Sequence, residues 1–219
     1  MRFRHKSIHK TSPYQKLLDL HHDYYLTLIS VIQGIVFAIF IFDVRETWSN
    51  LHSLSVGLNL ATMVVVMILA WKEYIIGTTS FSWIPRLPDT ILPFLLGVAQ
   101  CYGCYQVQNT HRFLLALSIT GFISFLAYIN MYYNASRFEM NIPLLQKTRT
   151  FSKINLSSTV VVSVTYFLCF LFYKPEYQTL YSVLIFAIIL VYMLRSYLYW
   201  ETIIQWMAGE EGDELRIRN

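Results

Sequence analysis

Cys101 and Cys104 stand in the run Cys-Tyr-Gly-Cys, and Cys169 is the one other cysteine among 219 residues. A Cys-x-x-Cys pair can cycle between dithiol and disulfide, because a thiolate attacks a neighbouring sulfur through a mixed disulfide. Passing the electrons on takes a further pair, and a single additional cysteine leaves that relay without a partner. Three cysteines do not build a disulfide framework either. A zinc site would need more ligands close by, and His111 alone lies near the pair in sequence. His21-His22-Asp23 is a second group of ligand types, read here as a solvated interfacial turn. No Ser-His-Asp set, glycine-rich phosphate loop or paired carboxylates occur at usable spacing. Neither a metal site nor a cofactor is expected.

Polar side chains inside apolar runs are the other candidates, since hydrocarbon cannot satisfy them. Four runs carry one mid-run amide each: Gln33, Asn59, Gln100 and Asn130. Neighbours at helical spacing extend each into a stripe. The stripes are Ser30, Gln33, Gly34 and Phe37; Ser55, Asn59 and Thr62; Pro93, Gly97, Gln100 and Cys104; Thr120, Ser124, Ala127 and Asn130; and Ser158 with Thr165. Such groups either bond helix to helix, at about 0.6 kcal/mol each, or line a hydrated path. No Asp, Glu or His is expected deep in a span, which argues against a proton relay. Arg195 is the one charge expected inside the membrane, with Lys72 and Glu73 read as lying at the inner surface. It is expected to snorkel toward the headgroups beside Tyr197, Tyr199 and Trp200, with Glu73, Glu201 or an anionic lipid as conceivable partners.

The elements that must position these residues follow from composition. Hydrophobic residues make up 55% of the chain and charged ones 14%, against about a quarter charged in soluble domains. Six apolar runs stand out, at about Tyr24–Phe42, Leu54–Ile76, Ile91–Gln106, Phe113–Tyr133, Leu156–Tyr173 and Leu180–Trp200. A spanning helix needs about 20 such residues, so the third is marginal. Its first turn can be capped by Asp89, with Pro93 early in the helix.

Loop charge orients the runs. With the N-terminus inside, the cytoplasmic segments hold thirteen of the seventeen Lys and Arg, and the outer loops hold only Arg45, Arg112 and Lys174. That asymmetry is the positive-inside pattern. Short outer links make runs 1 and 2, 3 and 4, and 5 and 6 antiparallel neighbours. The internal segment 77–88, with Trp83 and two prolines, is expected to rest at the headgroup interface. Segment 134–155 mixes apolar residues with Arg137, Lys147, Arg149 and Lys153, which predicts a short amphipathic surface helix that docks lipid or a partner. The expected organisation is a retained basic cytoplasmic segment (1–23), a transmembrane domain (24–207) and a charged cytoplasmic tail that frays (208–219). The basic residues are spread by loop rather than gathered in one patch, so no nucleic-acid partner is expected.

Two local resemblances accompany this reading. A Cys-x-x-Cys at the outer membrane surface is similar to that of the thiol oxidoreductases of the DsbB and vitamin K epoxide reductase type, which work with quinone. The run Gln33-Gly-Ile-Val-Phe-Ala-Ile-Phe-Ile-Phe-Asp43 resembles the opening helix of small six-helix bacterial potassium channels. Ile32-Gln33 stands where that family has Ser-Asp, and the likeness covers eleven residues.

The expected architecture is an all-α polytopic membrane bundle of six spans with both termini cytoplasmic, in a plasma membrane of the bacterial inner type. The expected role is non-enzymatic: a homo-oligomeric channel-like pore or membrane sensor, working with a cytosolic protein, as in defence or stress modules. Its pore or contact residues would be Gln33, Asn59, Thr62, Gln100, Ser124 and Asn130. A thiol oxidoreductase using Cys101 and Cys104, or a small transporter, are the alternatives.

Overall fold

Prolines and short polar residues decide where the helices of this chain begin. Pro13 opens the first, Pro88 and Pro143 occupy the first turns of the third and fifth, and the Asn109 side chain accepts from the Arg112 amide at the start of the fourth. The computed structural model describes residues 13–48 and 53–217, with side chains over 23–48, 53–150 and 152–205. The basic residues of segment 1–12 and the His21-His22 side chains lie outside that description.

Six long helices result: α1 (Pro13–Thr47), α2 (Leu54–Ser80), α3 (Leu87–Tyr105), α4 (Thr110–Ala135), α5 (Ile142–Leu171) and α6 (Gln178–Ile217). There is no strand among the described residues. Five stretches are long and apolar enough to cross a bilayer, namely Asp23–Thr47, Leu54–Ser80, Thr110–Ala135, Ser152–Leu171 and Pro175–Gln205. α3 is the exception, because Pro88, Asp89, Pro93 and Gln100 dilute its 19 residues. Val31, Phe37, Val98, Val161 and Val191 are each more than half exposed on the outer faces of the bundle. An apolar exterior on that scale belongs in hydrocarbon rather than water. The protein is an all-helical, membrane-embedded bundle.

The helices close into a ring. α1 packs on α3, α3 on α4, α4 on α5, α5 on α6, α6 on α2, and α2 back on α1. The hairpin neighbours expected from the short links are all present, and α1 is inserted between α2 and α3. The starts of α1, α3 and α5 and the ends of α2, α4 and α6 therefore share one end of the ring, which also carries Lys72, Arg86, Arg137, Arg149 and Lys153. We refer to it as the basic end.

Two seams bring helices into close contact at a glycine. A Cβ on Gly97 would lie 2.5 Å from Ile32 Cγ2, so α1 and α3 touch through that glycine. A Cβ on Gly121 would lie 3.0 Å from Ser163 Cβ. Beside it Ser118 Oγ donates to the Ser163 carbonyl at 3.0 Å and Ser163 Oγ donates to the Ser118 carbonyl at 2.7 Å. Small residues exchanging hydroxyl bonds are how membrane helices approach closely without a hydrophobic drive.

Two expectations about the connections are corrected. Segment 81–86 does not rest among headgroups: Phe81 is 1% and Trp83 2% exposed, packed with Ala135, Leu144, Tyr199, Trp200 and Ile203. Asn141 makes this possible by bonding the Ser82 backbone, so a buried loop keeps its polar groups satisfied. Segment 134–155 holds no separate surface helix. After a single turn of 3-10 helix (Glu139–Asn141), α5 runs unbroken from Ile142 into its span. Within the tail, α6 is helical to Ile217. A smaller correction concerns the start of α3. Arg86 is its cap residue, and Asp89, three residues on, accepts from the Arg86 amide at 2.7 Å.

Candidate functional site

The ring encloses a cavity of about 120 Å³ in the half nearer the basic end, walled by residues from all six helices. α2 presents Val66, Ala70, Glu73 and Gly77, and α4 presents Leu117, Thr120, Ser124, Ala127 and Asn130. Both sets step by three or four residues, so each is one helix face. Tyr25 comes from α1, Asp89 and Leu92 from α3, Tyr166 from α5 and Tyr192 from α6. Trp83, from the segment between α2 and α3, completes the wall at the basic end, edge-on to Tyr25 with ring centroids 6.1 Å apart. The walls are mostly aliphatic and aromatic, and two carboxyl groups interrupt them.

Glu73 is half-buried and faces the cavity. Its Oε2 accepts from the Tyr128 hydroxyl and from Trp200 Nε1, both at 2.5 Å, and its Oε1 accepts from the Ser196 hydroxyl. These donors come from α4 and α6, so one carboxylate ties three helices. Asp89 is 1% exposed. Its Oδ1 accepts from Asn130 Nδ2 at 2.5 Å, and Asn134 Nδ2 reaches both of its oxygens at 3.1 and 3.2 Å. Every one of these donors is neutral, whether hydroxyl, indole, side-chain amide or backbone amide. An acid in a span is costly unless paired, and it marks a substrate path or proton route by default. Hydrogen bonds from these neutral donors hold both carboxyl groups in place against the cavity.

Further tyrosines are hydrogen-bonded between helices nearby. Tyr192 shares a hydrogen bond with Thr159 at 2.9 Å, and Tyr132 shares one with Tyr199 at 2.8 Å. Tyr199 in turn meets Ser152 at 3.2 Å. Of these, Tyr192 lines the cavity and is held from α5 by Thr159.

The residues singled out in the sequence divide. Ser124 and Asn130 line the cavity, and the whole stripe of Thr120, Ser124, Ala127 and Asn130 does so with them. Gln33 and Gln100 instead meet each other, with Gln33 Nε2 donating to Gln100 Oε1 at 2.9 Å across α1 and α3. Asn59 Nδ2 donates to the Val107 carbonyl at 2.9 Å and to Thr110 Oγ1 at 3.1 Å, which pins α2 to the α3–α4 turn. Thr62 bonds back to the Leu58 carbonyl on its own helix. In α1 only Gln33 of its stripe points inward, since Ser30, Gly34 and Phe37 are exposed. In α5 the cavity face is Thr159, Val162 and Tyr166, one residue on from the expected Ser158 and Thr165.

Arg195 donates to Ser158 Oγ, so it is anchored to α5, while Glu73 is engaged by other donors. Arg137 lies over the Tyr133 ring at 4.7 Å, and Lys147, Arg149 and Lys153 are exposed on α5. All three cysteines are free thiols, and Cys104 is fully buried in the apolar core with Phe113 and Leu114. His111 is stacked between Phe170 and Tyr173 at 4.5 and 4.9 Å, with Nε2 3.1 Å from the Phe170 carbonyl. No group of three His, Cys, Asp or Glu that could hold a metal occurs among the described residues.

Sequence reasoning missed the cavity's acids. In the sequence Glu73 reads as an inner-surface partner for Arg195, and Asp89 reads as a helix cap. The available signal was that Glu73 continues the α2 face of Val66 and Ala70 at a spacing of three. Comparison with protein-family models, with curated proteins and with solved structures finds no match to this chain.

Proposed function

We propose that the protein is a small membrane transporter that takes a small organic cation into the cavity between its six helices. The observation that carries this is the cavity itself: two carboxylates, Glu73 and Asp89, set in a wall of Tyr25, Tyr74, Trp83, Tyr128, Tyr166 and Tyr192. Ring faces attract ammonium groups, by about 0.5–2 kcal/mol each, and an acid in an apolar surround supplies the long-range attraction. The volume is comparable to engineered cavities of about 150 Å³ that take a benzene-sized guest.

In this reading all six helices span, both termini are cytoplasmic, and the bilayer is a plasma membrane. Loop charge supports the orientation. As a helix, the 19 residues of α3 measure about 28 Å, close to the hydrocarbon thickness of about 30 Å. Its packing between α1 and α4 shields its polar residues from lipid. The cavity is then reached from the cytoplasmic side past Trp83. All six helices of one chain contribute to its wall, so a single copy is the working unit in this reading, in place of the oligomeric pore that the amide stripes alone favoured.

The test is uptake of labelled tetramethylammonium into liposomes reconstituted with the purified protein. Saturable uptake, reduced at least tenfold by Glu73→Gln and unchanged by Arg137→Gln, is expected. Uptake no greater than in empty liposomes, or full activity in Glu73→Gln, would overturn the reading.

A further inference from the structure

We propose that the groove between α4 and α5 at the basic end is a binding site for one anionic phospholipid. The groove has a volume of about 610 Å³ and shares no lining residue with the solute cavity. Arg149 and Lys153 line it, four residues apart on α5, so their side chains project from one face. Ser136 and Gln146 add neutral hydrogen-bonding groups beside them, and no acid contributes to the wall. Below the cations the lining turns apolar with Ile129 and Leu156.

The position of that change identifies the occupant. The apolar run of α5 begins at about Leu156, so Lys153 stands just outside it and Arg149 one turn further out. Two cations at the level of the headgroups, above an apolar trough open to the bilayer, match a phosphate with its acyl chains beneath. A soluble protein would meet only the charged half of the groove. Basic clefts between membrane helices bind anionic headgroups for this reason. The site depends on the chain being membrane-embedded and not on what the solute cavity carries.

Native mass spectrometry of the purified protein, titrated with phosphatidylglycerol or phosphatidylcholine, tests this. One retained phosphatidylglycerol per chain is expected, bound at least tenfold more tightly than phosphatidylcholine. The double variant Arg149→Gln/Lys153→Gln should lose that preference. Lys147→Gln, on another face of α5, should keep it, and the charge-keeping Arg149→Lys/Lys153→Arg should restore it, which separates lost charge from lost fold. Equal retention of the two lipids, a full preference in the Gln/Gln variant, or displacement of the lipid by millimolar inorganic phosphate would overturn the proposal.

Discussion

The side chain of Asn141 is hydrogen-bonded to both backbone groups of Ser82. Its Oδ1 accepts from the Ser82 amide at 3.1 Å, and its Nδ2 donates to the Ser82 carbonyl at 2.7 Å. The same Nδ2 donates to the Ala135 carbonyl at 2.9 Å, so the α4–α5 turn holds the segment that carries Phe81 and Trp83. One amide thus takes the place of a neighbouring strand. Asn141→Ala would leave buried backbone groups unsatisfied, at a cost of about 1–3 kcal/mol. The expected outcome is a lower unfolding temperature in detergent and faster tryptic cleavage after Arg86. Cleavage at the wild-type rate would show that the segment is held by its aromatic side chains alone.

Gly97 and Ile32 should be energetically coupled. Gly97→Ala inserts a methyl group 2.5 Å from Ile32 Cγ2, an overpacking that costs about 1–3 kcal/mol. Ile32→Ala removes the clashing atom, so the double variant should be more stable than the sum of the two single losses. A double-mutant cycle on thermal stability measures this directly. Additive losses would mean that α1 and α3 separate rather than clash.

Gln33 and Gln100 should behave as a pair in stability and not in uptake. Gln33→Leu leaves Gln100 Oε1 without its donor in the α1–α3 seam. The single variant should lose stability, while Gln33→Leu/Gln100→Leu should recover most of it, because removing both partners removes the unsatisfied group as well. Loss of tetramethylammonium uptake in the stable double variant would move these amides from the contact to the transport path.

The number of spans decides where the two ends of the chain lie. With α3 crossing, both ends are on one side; with the five more apolar stretches alone, they are on opposite sides. Reporter fusions at each terminus should both report the cytoplasm, and a tag in the turn at 107–109 should be reached from outside. Termini on opposite faces would place α3 as a helix lying within the bundle without crossing.

Helices and hairpin pairs were legible because apolar runs and short links leave few alternatives. The α4 stripe was legible for the same reason: Thr120, Ser124, Ala127 and Asn130 repeat at helical spacing, and all four reach the cavity. The inward face of α1 was not, since lipid is as apolar as a packed core. Ser30, Gly34 and Phe37 face outward without penalty. The role of Glu73 was hidden for a different reason. Its partners lie 55, 123 and 127 residues further along the chain, and no local pattern brings them together. Trp83 and two prolines look the same in a sequence whether the loop floats on headgroups or, as here, folds beneath the ring.

The order of synthesis gives the ring a consequence of its own. α2 is made early, yet Tyr128 follows on α4, and Ser196 and Trp200 follow only on α6. Until the last helix arrives, Glu73 sits in the nascent bundle with most of its donors not yet made. An uncompensated acid in a span weakens its hold on the bilayer. The first hairpin therefore waits, half-committed, for the final one to lock it, and a chain cut short before α6 carries its own mark of incompleteness for the cell's quality control to read.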